Sequence, residues 1–89
     1  MIKVLFVCLG NICRSPMAEF LFKDMIREKG MEQFVTIASA ATSSEEVGNE
    51  VHPGTRKILM DHGIQTGTKR AVQIKASDYE AYDFIIGME

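Results

Sequence analysis

The sequence predicts a single α/β domain, a three-layer sandwich with a parallel sheet at its centre. Three observations carry this. The N-terminal segment Ile2-Lys3-Val4-Leu5-Phe6-Val7-Cys8 is almost continuously apolar and β-branched, an amphipathic stretch follows it directly, and further short apolar runs alternate with helical patterns. A near-continuous apolar run reads as a strand buried on both faces of a parallel sheet. Strands alternating with helices imply right-handed crossovers between parallel neighbours.

Element by element, Ile2 to Cys8 is the first strand, and Gly10 and Asn11 begin a tight loop because both tolerate unusual backbone angles. A helix is expected to open at Ser15-Pro16, since proline suits the first helical position and serine caps it. Between Met17 and Lys29 the inward face is predicted as Ala18, Leu21, Phe22, Met25 and Ile26, with Glu19 beside the positive end of the dipole and Gly30 as the stop. A second strand is predicted over Phe34 to Ser39, a loop over Ala40 to Val51, and a second helix from Pro53 to His62 with Ile58 and Leu59 inward. Ser77-Asp78-Tyr79-Glu80 reads as a capping box opening a short helix, and Phe84-Ile85-Ile86 as the third strand.

Composition removes several function classes. The chain has 89 residues, 46% of them hydrophobic and 25% charged, which excludes a disordered tail or collagen-like repeat. A domain of this size buries roughly 60% of its unfolded surface, so its core is thin. A net charge of −2 argues against a general nucleic-acid binder. No run of about 18 apolar residues is present to span a membrane, and the apolar run from Val4 to Leu9 is short for a signal peptide. A cytoplasmic protein is expected. Two cysteines, Cys8 and Cys13, make no disulfide framework.

The chemistry concentrates in Cys8-Leu9-Gly10-Asn11-Ile12-Cys13-Arg14-Ser15. In open α/β sheets, ligands bind beyond the carboxyl ends of the strands, where helix N-termini point. Unpaired N–H groups and the helix dipole favour an anion there, and a curled loop forms a nest for the same purpose. Arg14 can grip two phosphate oxygens with its fork of donors. Cys8 would lie in that positive potential as a thiolate nucleophile, with Ser15 donating to its sulfur. A Cys-x5-Arg pair alone would arise by accident in roughly one such chain in ten. The preceding strand, Gly10, Asn11, Ser15 and Pro16 make the signal strong. The plain alternative for Cys8 is a small core residue at a strand end, and for Cys13 an inward-packing loop residue. Lys69-Arg70 and Glu45-Glu46 read as solvated. A zinc site from both cysteines with His52 and His62 is disfavoured by histidines ten residues apart.

Read as C-L-G-N-I-C-R-S-P-M-A, Cys8 to Ala18 resembles the signature of the low-molecular-weight protein tyrosine phosphatases. The resemblance continues through Ile37-Ala38-Ser39-Ala40-Ala41-Thr42, Asp61-His62-Gly63-Ile64 and Tyr82-Asp83-Phe84-Ile85-Ile86-Gly87-Met88. It implies that Cys8 becomes phosphocysteine, that Arg14 binds the phosphoryl group, and that the backbone of Leu9, Gly10, Asn11, Ile12, Cys13 and Arg14 completes the cradle. Asn11 would hold the loop with Ser39, Ser15 would assist the thiolate, and Cys13 would protect Cys8 as a disulfide partner. The implied ligands are a phosphorylated protein or aryl phosphate, with inorganic phosphate or sulfate fitting the loop. No metal or other cofactor is implied.

The chain also departs from that pattern. The family's general acid is an aspartate in an Asp-Pro-aromatic loop, and none of Asp61, Asp78 and Asp83 is followed by proline. The resemblance therefore makes residues 1–89 the N-terminal portion of a single phosphatase domain, with its sheet incomplete at the C-terminus and activity impaired; a general acid contributes about 10²–10⁴-fold. Glu45 or Glu46 stands where members often carry an aromatic. Ile12 favours an aryl phosphate, whereas relatives with threonine there resemble phosphoarginine phosphatases. Further alternatives are an arsenate reductase relative, which needs another pair of cysteines, and a non-catalytic phosphate-binding fragment. An unpaired strand edge is expected to promote self-association.

Overall fold

The computed structural model describes residues 1–88 and contains six elements: β1 (Ile2–Cys8), α1 (Arg14–Glu28), β2 (Val35–Ala41), α2 (Pro53–Asp61), α3 (Asp78–Ala81) and β3 (Phe84–Gly87). The strands form one parallel sheet in the order β2-β1-β3. β1 is central, as its apolar sequence predicts, and Val4 to Cys8 are all buried.

The alternation of side chains along β1 divides the core in two. Val4 and Phe6 point to one face with Ile37, beneath Ala18 and Ile26 of α1. Leu5 and Val7 point to the other with Ala40 and Ile85 of β3, beneath Ile74 and Tyr82. These two covers and the sheet are the three predicted layers, and α2 packs beside α1. The register sets Cys8 level with Ala41, so β1 and β2 end together. Thr42 N–H then donates to Cys8 O at 2.9 Å and Ser43 N–H to Leu9 O at 3.0 Å, which carries the next loop alongside the first.

Several local expectations change. α1 starts at Arg14, so Pro16 is its third residue, still within the turn whose N–H groups lack helical partners. Cys13 occupies the N-cap and no side chain caps the helix; the Ser15 hydroxyl is engaged elsewhere. The buried residues of α1 are Ser15, Pro16 and Glu19, whereas Leu21, Phe22 and Met25 are exposed. The inward stripe of α1 therefore begins on polar residues, because its first turns face the strand ends. Phe22 nevertheless places its ring 5.6 Å from that of Phe6.

β2 runs one residue later at its start and two later at its end than predicted, and β3 extends to Gly87. In α2, Leu59 is 1% exposed but Ile58 is 51% exposed, since adjacent helical residues lie about 100° apart and only one turns inward. His52 caps α2, its Nδ1 accepting from Gly54 N–H at 3.1 Å. The capping box does not form: Ser77 makes no side-chain bond, and Asp78 Oδ2 accepts from Lys75 N–H at 2.8 Å instead.

The α2 geometry gives a direct stability contrast. Leu59→Ala is expected to cost about 2–5 kcal/mol, and Ile58→Ala less than about 1 kcal/mol. Urea denaturation of the two variants measures this, and equal losses would contradict the orientation of α2.

Candidate active site

The loop from Cys8 to Arg14 lies where β1 ends and α1 begins, and two further segments hold it in shape. Ile12 O accepts from His52 N–H at 2.7 Å, tying the loop to the entry of α2. On the other side it is bound to Thr42 and Ser43 by the bonds given above. Asn11 has a φ of +58°, the left-handed conformation that Asn tolerates better than other side-chain-bearing residues. It is 1% exposed. Its Nδ2 donates to Ser15 Oγ at 2.8 Å and to Ser39 Oγ at 2.9 Å, and its Oδ1 accepts from Val72 N–H at 3.1 Å. One side chain thus joins the loop, α1, β2 and the segment after α2.

Cys8 Sγ is surrounded by donors. It lies 2.9 Å from Ser15 Oγ and accepts from Asn11 N–H at 3.2 Å. Burial pushes the thiol up, but the Ser15 hydroxyl and the N–H groups of Ser15, Asn11 and Gly10 outweigh it and hold the pKa below the ordinary cysteine value. The thiolate therefore persists to lower pH than in a free cysteine. Arg14 is exposed and makes no ion pair among the described residues, which leaves its guanidinium available to an anion.

The loop lines a cleft of about 240 Å³, closed on its far side by Ser43, Glu45 and Glu46. A larger hollow of about 800 Å³ between α1 and β2 is lined by residues such as Phe20, Ile26 and Ile64 and contains no thiol or histidine. The chemistry, not the volume, marks the site. Among the described residues no three His, Cys, Asp or Glu side chains converge to hold a metal ion.

The structure brings together all the predicted site residues: Cys8, Leu9, Gly10, Asn11, Ile12, Cys13 and Arg14 line the cleft, and Ser15 and Ser39 stand behind it. Three expectations are corrected. Glu46 is half-buried in the cleft wall, with Asn49 Nδ2 donating to its carboxylate, instead of lying on a solvated edge. Lys69 is not a solvated partner of Arg70, because its Nζ donates to Ser39 O at 3.0 Å and lies 3.7 Å from Glu19 Oε1. Burial lowers the Lys69 pKa, with Glu19 opposing that shift. Cys13 is exposed, not inward-packed, and Thr55 Oγ1 donates to its sulfur at 3.1 Å.

Sequence reasoning missed Glu19. It is 4% exposed and accepts from Ser39 Oγ and from Lys23 Nζ, so a buried carboxylate lies behind the loop support. A carboxylate one helical turn after Ser15 was the available signal, since residues four apart share a helix face. Thr55 and the backbone of Val72 were also missed and had no local signature.

Removing the Ser15 hydroxyl takes a donor from the thiolate, so Ser15→Ala is expected to raise the Cys8 pKa. The pH midpoint of Cys8 alkylation by iodoacetamide moves upward, with Cys8→Ser as the blank. A midpoint unchanged in a folded Ser15→Ala variant would remove Ser15 from this role.

The family model for low molecular weight phosphotyrosine protein phosphatase matches residues 3–89. The chain is 46% identical over 89 residues to the low molecular weight protein-tyrosine-phosphatase YfkJ of Bacillus subtilis, covering 100% of this chain and 57% of that protein. It superposes on the crystal structure of YfkJ with a TM-score of 0.97, covering 56% of that chain. The low molecular weight protein tyrosine phosphatase of Streptococcus pyogenes gives 0.92 at 48% identity, covering 100% of this chain and 57% of that one. The chain thus spans little more than half the length of these relatives. With the matched model, the identity and the shared fold, this chain belongs to the low molecular weight phosphotyrosine protein phosphatase family.

Proposed function

We propose that this chain supplies the nucleophile and phosphate cradle of a cysteine-dependent protein tyrosine phosphatase, residues 1–89 forming part of one such domain. One observation carries the reading: a buried thiol with a lowered pKa, ringed by donors, shares a cleft with an arginine that makes no ion pair among the described residues. The Cys8 thiolate attacks phosphorus in line with the ester oxygen; the S–P bond forms as the P–O bond breaks, and the leaving oxygen takes a proton from solvent water. Water then attacks phosphorus, the S–P bond breaks, and Cys8 returns to the thiolate that Ser15 stabilises. Arg14 and the N–H groups of the loop offset the charge on the equatorial oxygens, positioned before reaction begins. Asn11 and Ser39 keep those N–H groups aimed inward.

In this reading the substrate is a phosphorylated protein or aryl phosphate, for which the half-buried Ile12 and exposed Leu9 offer apolar contact. Ile12 favours this over phosphoarginine, where a threonine is expected. Free thiols at Cys8 and Cys13 suit a reducing, cytoplasmic setting, with Cys13 closing a protective disulfide on Cys8 under oxidation. The outer edge of β3 has no strand partner among the described residues and exposes Phe84 and Ile86; self-association there is expected to appear as mass above the monomer in light scattering at high concentration.

The function is tested with p-nitrophenyl phosphate, whose leaving group departs without a strong acid. Hydrolysis above the Cys8→Ser background is expected, with a phosphate adduct on Cys8 detectable by mass spectrometry after acid quench. Arg14→Ala is expected to lower the rate by about 10²–10³-fold, the loss typical of one transition-state donor. Phosphate binding with neither adduct nor turnover would replace this reading with a non-catalytic phosphate-binding module.

A further inference from the structure

The cleft wall facing the cradle carries two carboxylates, Glu45 and Glu46, against the single guanidinium of Arg14. Neither glutamate makes an ion pair among the described residues; the nearby cations Arg56 and Arg70 are both directed to Glu50. The wall is also built rather than loose. Ser43 N–H donates to Leu9 O, Gly48 N–H to Ala71 O at 2.9 Å and Asn49 N–H to Glu46 O at 2.9 Å, so the loop is anchored at both ends. Glu46 presses on the cradle itself: a Cβ placed on Gly10 would lie 3.2 Å from Glu46 Cγ.

A charge count at the occupied cleft follows. A phosphate monoester brings about −1.5 to −2 charges at neutral pH, and the Cys8 thiolate and two glutamates add further negative charge. Arg14 and partial charges from N–H groups are the positive side. Like charges so close oppose binding, and a ligand that carries its own cations beside the phosphate relieves that opposition. The apolar walls at Ile12 and Leu9 meanwhile suit an aromatic ring.

We propose that Glu45 and Glu46 are specificity-determining residues that select phosphotyrosine flanked by lysine or arginine over phosphotyrosine flanked by acidic residues. This rests on the phosphatase reading above and names its substrate class. The glutamates act on the flanking residues of the substrate and take no part in proton transfer.

The experiment needs no turnover. Iodoacetamide alkylates Cys8 in the wild-type chain, and a ligand in the cradle protects it. Three probes are compared for the concentration giving half-protection: inorganic phosphate, a phosphotyrosine peptide flanked by Lys and Arg, and a matched peptide flanked by Glu and Asp. The basic peptide is expected to protect at a concentration on the order of fivefold lower than the acidic one, the scale of one or two exposed charge pairs. The difference should shrink as salt rises through the range that screens exposed charges. In Glu45→Gln/Glu46→Gln it should disappear while protection by inorganic phosphate persists or strengthens. Equal protection by both peptides, with phosphate protecting, overturns this proposal and leaves the phosphatase reading intact. A preference that survives in the double variant overturns it too. Failure of all three probes to protect overturns both.

Discussion

Asn11 adopts a backbone conformation that costs an ordinary residue about 1–2 kcal/mol, and it does so with its side chain almost wholly out of solvent. Both facts follow from what its amide joins. Two donors and one acceptor of a single group are satisfied by α1, β2 and the segment after α2. A buried amide left unpaired would cost more than the bonds themselves contribute, so the loop closes around Asn11 or does not close at all. With φ positive at this position, the N–H of Asn11 turns toward the Cys8 sulfur, and the curvature of the nest is set. The curled loop around Cys8 is therefore a consequence of tertiary satisfaction, and the proposed thiolate chemistry depends on it.

Behind Asn11 lies a second layer. Ser39 donates to the Glu19 carboxylate while accepting from Asn11, and Lys69 reaches both Glu19 and the Ser39 carbonyl. Burying a carboxylate is costly unless charge and hydrogen bonds compensate, and here a half-exposed Lys23 and a largely buried Lys69 supply the charge. The arrangement places the hydroxyl of Ser39 with its proton directed to Glu19 and its lone pair to Asn11. A layer of this kind orients the loop without touching any ligand. The site is thus specified from the polar side of α1, the face that hydropathy treats as outward.

The cleft at Cys8 combines opposing demands. Donors around Cys8 and the guanidinium of Arg14 favour an anion, while the opposite wall holds carboxylates. Under the functions proposed above, general affinity for phosphate belongs to the loop after β1 and discrimination among phosphorylated ligands to the loop after β2. The loop after β1 is fixed by the buried network, and the loop after β2 is fixed by backbone bonds to Leu9 and Ala71. Both depend on β1 and β2 ending level, which the parallel register provides.

The sequence by itself determined the three strands, the placement of the cradle between β1 and α1, and the residues that line it. These are local matters: an apolar run buried on both sides, a glycine and an asparagine in a tight loop, and a Cys-x5-Arg spacing all declare themselves within a few residues. Only the tertiary structure decided which groups stand behind them. Glu19 looked like an ordinary first-turn acid and Lys69 like a solvated one of two cations, because their partners lie 20 and 30 residues away, respectively, around Ser39. Leu21, Met25 and Ile58 followed a helical period yet remain exposed; periodicity marks a face, while burial depends on which neighbours the fold brings to it. The expected Ser15 cap likewise yielded to other bonds, its hydroxyl turning to Cys8 and Asn11, where a buried donor and a sulfur needed it more than a helix end open to water.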